Sequence, residues 1–131
     1  MQAIVYTKYG TPDVLQLKEV DKPVPKDHEV LVRVRATTVN RTDCANLSAK
    51  PFIMRFSLGL LKPSKQIMGT EFAGVIEAVG KSVSAFKVGD KVFGTTTGLR
   101  FGANAEYVCV PETSKQAVLG LMPNKATYEE A

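Results

Sequence analysis

The 131-residue sequence is poor in the side chains that form disulfides or zinc sites, because it has two cysteines and one histidine. It also has no tryptophan. Cys44 and Cys109 are too few for the disulfide framework of a small secreted domain, so reduced thiols are expected. His28 stands between Asp27 and Glu29 in a proline-rich stretch, which is typical of a solvated surface side chain. This scarcity argues against a disulfide-stabilised scaffold.

Long apolar runs and blocks of a single charge are also missing. No apolar stretch approaches the ~20 residues that span a bilayer, and no basic leader with an apolar segment and a cleavage site follows Met1. The 17 basic and 13 acidic residues give a net charge of +4 but are scattered along the chain. We therefore expect a cytoplasmic protein with no membrane span and no nucleic-acid partner. Some of the excess cations are expected to face a phosphate-bearing ligand.

What the sequence does contain is a series of short strand-like segments. In residues 30–39, Val30, Val32 and Val34 alternate with Leu31 and Arg33, as in a half-buried strand. The predicted strands are 3–7, 15–20, 30–39, 72–79, 91–93, 105–110 and 117–121. The intervening predictions are a loop at 22–28, a turn leading into a helical turn at 40–48, and a flap or short helix at 51–61. Short strands divided by glycine and proline corners indicate a closed or nearly closed antiparallel barrel.

Five glycines punctuate residues 69–94 at irregular spacings, namely Gly69, Gly74, Gly80, Gly89 and Gly94. Each predicts a tight corner or a close backbone approach. This run resembles the catalytic-domain signature of the medium-chain dehydrogenase/reductase superfamily, and the chain from Met1 to Ala131 fits that superfamily, most closely its zinc-independent quinone oxidoreductase branch. The resemblance implies a mainly β, chaperonin-10-like (GroES-like), partly open antiparallel β-barrel with a few short helices.

The segment Asn40-Arg41-Thr42-Asp43 ends the 30–39 strand and is the candidate active site. It is similar to the Cys-Arg-Ser-Asp stretch of zinc alcohol dehydrogenases, in which the cysteine binds the catalytic metal. The resemblance implies that Asn40 replaces the metal ligand and that Asp43 orients its neighbours. It also implies that Arg41 pairs with the cofactor pyrophosphate, and that Thr42 passes a proton beside the cofactor.

Two further positions follow from the same resemblance. Thr70 stands where zinc-dependent members carry a histidine ligand, and Glu71 stands where the family carries an acidic residue near the active site. A catalytic zinc needs three protein ligands and an open position, and neither asparagine nor threonine is a good zinc ligand. The sequence therefore predicts an enzyme that works without a metal.

The residue types in this segment suit metal-free reduction on chemical grounds as well. An arginine offers a planar fork of donors to phosphate oxygens, and an asparagine amide can donate to a carbonyl oxygen that gains negative charge. The alternative is an Asx-type turn that closes the strand, with Asp43 capping the next helical turn. Glu71 is equally well explained as a surface charge that begins the following strand. For Cys44 we expect a buried or inert thiol.

Two glycine-containing stretches are not phosphate-binding motifs. Gly80-Lys-Ser82 lacks the correctly spaced upstream glycine of a P-loop, since five residues separate it from Gly74. Residues 94–102 lack the Gly-x-Gly-x-x-Gly dinucleotide fingerprint and are predicted to form a mobile loop near the cleft. The chain thus contains no complete cofactor fingerprint.

The last residues carry the signature of a helix start. Thr127-Tyr-Glu-Glu130 has the form of a capping box, so we interpret 1–124 as a GroES-like catalytic domain and 125–131 as the start of a helix leading to a nucleotide-binding domain. The resemblance implies an NADPH-dependent homodimer that transfers hydride to a quinone or an α,β-unsaturated carbonyl, and a fragment that is inactive alone. The alternative is a non-enzymatic, oligomeric binding module of the co-chaperonin type.

Overall fold

Seven β-strands and two α-helices form the fold in a computed structural model of the chain, which describes residues 1–64, 66–96, 102–115 and 117–131. The strands are β1 Gln2–Val5, β2 Gln16–Glu19, β3 Glu29–Thr37, β4 Glu71–Val79, β5 Lys91–Thr95, β6 Tyr107–Pro111 and β7 Val118–Leu121. The helices are α1 Arg41–Ser48 and α2 Arg55–Leu58, with 3-10 turns at Pro12–Val14 and Phe52–Met54. Every predicted strand is present, with small shifts at its ends.

The strands pair antiparallel in two sheets. β1 pairs with β2, and the other five strands form one curled sheet in the order β6-β3-β4-β5-β7. Bridges from Ala3 to Ala105 and from Val5 to Ile67 tie the small sheet to the loops of the large one. In the described part of the chain, the edge strands β6 and β7 do not pair with each other. The fold is therefore the predicted partly open, GroES-like half-barrel.

One face of the large sheet forms the hydrophobic core, to which the interior strand β3 contributes two fully buried side chains. Val30 and Val32 are fully buried against side chains of the neighbouring strands, among them Ile76 and Val110. Burying each such side chain stabilises the fold by roughly 1.5–3 kcal/mol. Leu31 is also buried, so the predicted alternation begins only at Arg33, which is exposed.

All five glycines of the 69–94 run occupy the special positions predicted for them. Gly69 and Gly89 have φ angles of 98° and 91°, a region that side chains with a Cβ rarely adopt. At Gly74, Gly80 and Gly94 an added Cβ would lie within 2.2 Å of a backbone carbonyl oxygen of another segment. The five glycines thus lie where the chain makes a turn or where the backbone of another segment passes too close to leave room for a side chain.

Two segments differ from or refine the sequence predictions. β1 ends at Val5 because the Tyr6 amide leaves the sheet to donate to the Gln66 carbonyl. The 51–61 segment is helical, containing the second 3-10 turn and α2. Residues 97–101, within the predicted mobile loop, lie outside the described residues. No helix in the described ranges is long and apolar enough to cross a bilayer.

The C-terminal residues form one turn rather than a helix. The Thr127 amide donates to the Glu130 carboxylate at 3.0 Å, which is the acidic half of the predicted capping box. The Glu130 amide in turn donates to the Thr127 carbonyl at 3.3 Å. The division of the chain at residue 124 and the helix leading to a second domain stay predictions.

Candidate functional site

Asn40 begins α1 and closes the end of β3. It has extended backbone angles, and its Oδ1 accepts hydrogen bonds from the amides of Thr42 at 2.9 Å and Asp43 at 3.2 Å. Asp43 Oδ2 accepts in return from the Asn40 amide at 3.0 Å, which completes a reciprocal cap. The predicted turn is therefore the start of a helix of eight residues, and Asn40 rather than Asp43 is its cap. A cap of this kind contributes about 1 kcal/mol.

The cap also fixes the direction of the Asn40 amide nitrogen. Because Oδ1 is held by two backbone donors, Nδ2 points the other way and donates to Thr70 Oγ1 at 3.0 Å, with a longer contact of 3.5 Å to Thr38 Oγ1. Thr70 is only 1% exposed, and its carbonyl accepts from the Thr96 amide at 2.7 Å. The two residues that stand at the expected metal-ligand positions are therefore hydrogen-bonded to each other.

Glu71 begins β4, with its side chain exposed. Its carboxylate accepts a hydrogen bond from the Thr38 hydroxyl, and the Thr37 hydroxyl lies 2.7 Å from its carbonyl oxygen. Thr38 thus links Glu71 to Asn40, although no local motif in the sequence marks Thr38 as a site residue. Glu71 is thus a surface charge at a strand start that is hydrogen-bonded to Thr38, and its role in an active site stays a prediction.

A cavity of 460 Å³ lies beside Glu71, at the ends of β3, β4, β5 and β7. Its lining includes Thr38, Glu71, Phe93 and Thr95, and the C-terminal turn closes one side through Tyr128. Glu71 is exposed, whereas Thr70 is 1% exposed. Thr38 lines the cavity and also contacts Asn40, so it connects the cavity with the Asn40–Thr70 pair.

Asp43 is an almost fully buried carboxylate behind this network. It is 1% exposed, and within the described residues its Oδ1 has no hydrogen-bond partner. Removal from water raises the pKa of Asp43, and the charge of Glu71 adds to this, while the backbone amides of Asn40 and Gly69 oppose it. Asp43 is joined to Asn40 through the reciprocal cap, and its role of orienting neighbours in an active site stays a prediction.

We expect Asp43→Asn to become progressively less costly, relative to the unmodified chain, as pH rises. The folded state binds the Asp43 proton more tightly than the unfolded state does, so its contribution to stability falls as pH rises through the raised pKa. An asparagine oxygen can still accept from the Asn40 amide but carries no charge to desolvate. Urea unfolding at several pH values from acid to neutral measures the difference, with Asp21→Asn, at an exposed carboxylate, as control. A pH-independent difference would contradict the assigned shift.

The remaining predicted site residues lie in the first turn of α1. Arg41 and Thr42 are exposed, and Arg41 forms no ion pair with any carboxylate in the described ranges. Arg41 is therefore available to an anionic ligand, and its pairing with a pyrophosphate stays a prediction. Cys44 is exposed at the fourth position of α1, so of the two expected alternatives the buried thiol is wrong and the inert thiol stays a prediction. Cys109 lies in β6, as an ordinary strand residue.

Metal-ligating side chains are not gathered anywhere in the part of the chain that the structure describes. It contains no group of three or more histidine, cysteine, aspartate or glutamate residues that could hold a metal ion. His28 is exposed in its loop, as predicted. At the candidate site the donors are an amide and two hydroxyls, a set suited to binding an oxygen atom of a ligand rather than a zinc ion.

Comparison with known proteins places the chain in a family. Residues 26–121 match the alcohol dehydrogenase GroES-like domain. The chain is 40% identical over 112 residues to a quinone oxidoreductase from Lama guanicoe, covering 82% of this chain and 30% of that protein. It belongs to the medium-chain dehydrogenase/reductase superfamily, in the quinone oxidoreductase-like group. A quinone oxidoreductase from Sus scrofa is 34% identical over 132 residues, 99% of this medium-chain reductase domain and 36% of the relative.

Solved structures show the same fold for the whole domain. The quinone oxidoreductase from Coxiella burnetii superposes with a TM-score of 0.82 at 27% identity, covering 100% of this chain and 39% of that one. The Escherichia coli quinone oxidoreductase, in complex with NADPH, gives a TM-score of 0.78 at 27% identity and 98% coverage of this chain, against 35% of its own. The medium-chain reductase domain described here thus spans about a third of the length of these relatives.

Proposed function

We propose that this chain is the substrate-side catalytic domain of an NADPH-dependent oxidoreductase that transfers hydride, without zinc, to a quinone or an α,β-unsaturated carbonyl. The observation that carries the proposal is the Asn40–Thr70 hydrogen bond of 3.0 Å, which puts an amide donor where a metal ligand is expected. The relatives named as quinone oxidoreductases and the neighbour solved with NADPH support the substrate class and the cofactor.

The residues of this domain fit one end of a dinucleotide. Arg41 is an exposed guanidinium without an ion-pair partner among the described residues, and it begins the helix whose N-terminal amides favour negative charge. Arg41 would hold the pyrophosphate, and Thr42, the next exposed residue, would contact the adjoining sugar. When bound, NADPH supplies the hydride. The fold that carries the rest of the cofactor is proposed to follow residue 131.

Asn40 is the residue that we assign to the developing negative charge. Its Nδ2 has one hydrogen committed to Thr70 and the other in a long contact with Thr38. A substrate carbonyl oxygen can displace that long contact at little cost and accept the second hydrogen bond from a rigidly held donor. Thr42 then passes the proton that, with the hydride, completes reduction of a quinone to a hydroquinone or of an enone to a saturated ketone.

The proposal predicts that catalysis survives removal of zinc. We expect the full-length polypeptide to reduce a simple benzoquinone with NADPH, to contain far less than one zinc per chain by elemental analysis, and to keep its rate after chelator treatment. The 131-residue chain alone holds only the substrate side and serves as the inactive control. Loss of the rate on chelation, with recovery on adding zinc, would overturn the metal-free assignment.

We also propose that the full-length enzyme is a homodimer, as the resemblance implies, and that it is cytoplasmic, which is consistent with two free cysteines. The co-chaperonin type of binding module remains the second candidate from the sequence. It assigns no role to the exposed Arg41 or to the amide of Asn40, and activity of the full-length polypeptide would decide against it.

A further inference from the structure

The helical segment between α1 and β4 exposes a large apolar surface. Phe52, Ile53, Phe56, Leu60 and Leu61 form what we call the flap patch, and each is at least half exposed, with Phe56 at 73% and Leu61 at 90%. Single exposed apolar residues are common, but five within ten residues on one segment indicate a surface that is covered by a partner.

The local fold turns these side chains outward together. Phe52 and Ile53 lie in the 3-10 turn, and Phe56 lies four and three residues later in α2, on the same side of the helical segment. Leu58 points the other way and is buried, so it anchors the segment to the domain. Tyr9 also holds the segment, because its hydroxyl donates to the Gly59 carbonyl at 2.6 Å. The flap patch is therefore a fixed feature of the fold.

The charged residues of the chain segment that carries the flap patch are all basic. Between Asp43 and Glu71 the sequence contains four basic residues, Lys50, Arg55, Lys62 and Lys65, and no acidic residue. Lys50 and Lys62 flank the patch and are exposed, and neither they nor Arg55 form an ion pair with a carboxylate in the described ranges. The adjoining N-terminal loop adds Lys8 and Asp13, whose charges offset each other.

Arg55 lies beneath the apolar side chains rather than beyond them. Its guanidinium lies 4.9 Å from the ring of Tyr9 and 5.1 Å from the ring of Phe52, which places a cation directly behind the aromatic surface. An apolar face with cations at its border is the pattern of segments that lie in the interface of a bilayer, with rings among the acyl chains and cations at the headgroups.

We propose that the flap patch binds the surface of an anionic lipid bilayer, with the 3-10 turn Phe52–Met54 and α2 lying in the interface. Charge complementarity favours this partner over a second copy of the chain, because two such segments would bring at least six cations together and neither segment contains a carboxylate. An uncharged apolar partner would leave the flanking lysines without a role. The proposal requires the flap patch to stay exposed in the full-length protein, so vesicle binding by the 131-residue chain that is lost in the full-length protein would overturn it.

The test uses tryptophan fluorescence, because the chain contains no tryptophan of its own. Phe56→Trp places one indole in the flap patch, and Val24→Trp places a matched indole at an exposed position in the proline-rich loop, 84% exposed in the native residue. Both proteins are titrated with vesicles of phosphatidylcholine alone and of equal parts phosphatidylcholine and phosphatidylglycerol. Circular dichroism checks that both variants are folded.

We expect a blue shift for Phe56→Trp with the anionic vesicles, binding about tenfold weaker to the zwitterionic ones, and no shift for Val24→Trp. In the Phe56→Trp background, Ile53→Ser should weaken binding by a further factor of about ten, and Lys50→Gln with Lys62→Gln should remove most of its salt dependence. No blue shift with anionic vesicles, an equal shift at both positions, or equal binding to both vesicle types would overturn the proposal. Concentration-dependent dimerisation through the flap patch without vesicle binding would also overturn it.

Discussion

Replacing Gly69 by alanine is expected to cost at least about 3 kcal/mol of unfolding free energy and to lower Tm by about 10 °C or more. Two causes act together. The φ angle of 98° is strained for any residue with a Cβ, and the added Cβ would lie 2.3 Å from the Asn104 amide nitrogen and 2.5 Å from its Oδ1. The backbone cannot move freely, because the Gly69 carbonyl accepts hydrogen bonds from the amides of Gly102 and Ala103.

Gly89→Ala provides a matched control for this experiment. Gly89 has a similar φ of 91°, but an added Cβ would meet nothing within 4 Å. It should therefore show the backbone cost alone, about 1–2 kcal/mol. Thermal and urea unfolding of both variants gives the difference. Equal losses of stability in the two variants would show that the contact with Asn104 is not tight.

In the full-length enzyme, Asn40→Ala is expected to lower kcat about 100-fold with a smaller change in the KM for NADPH. The substitution removes the amide that donates to Thr70 and faces the proposed substrate oxygen. It also removes the helix cap, so about 1 kcal/mol of stability should be lost with it. Steady-state kinetics and thermal unfolding of the same preparation measure both effects.

Asn40→Ser separates the two roles. Serine is a good helix cap but has no amide donor, so stability should largely return while kcat stays low. Recovery of the rate by serine would show that Asn40 matters only as a cap and would return the segment to a strand-closing turn. Arg41→Ala, at an exposed neighbouring position, is expected instead to raise the KM for NADPH with kcat little changed.

The sequence was sufficient for the fold because the β3 alternation and the five glycines are local signals. Val30 and Val32 are in the core, and Gly69 and Gly89 turn the chain where glycine is required. The predicted strand ends are less accurate, because a strand end depends on tertiary hydrogen bonds. At the end of β1, for example, the Tyr6 amide donates to the Gln66 carbonyl instead of to β2. No local pattern in the sequence contains that information.

The sequence indicates which residues belong to the candidate site but not which hydrogen bonds join them. Asn40 and Thr70 are 30 positions apart, and only the pairing of β3 with β4 brings them within 3.0 Å. Thr38 joins the site for the same reason, because its hydroxyl reaches Glu71 across that pairing while it also contacts Asn40 two residues further along the chain. The Asx turn predicted at Asn40 is the cap of α1. The full length of α1 is not evident from the sequence, since its polar composition gives no sign that Asn46 and Leu47 are buried.

The bond between Asn40 and Thr70 also constrains how this domain can evolve. Asn40→Cys alone would supply one thiolate and lose the cap of α1. Thr70→His alone would force an imidazole into a position that is 1% exposed. Each single change weakens the fold before a complete set of ligands exists. A change from a metal-free to a metal-binding site, or the reverse, therefore needs coupled substitutions at both positions. We expect strong epistasis between Asn40 and Thr70.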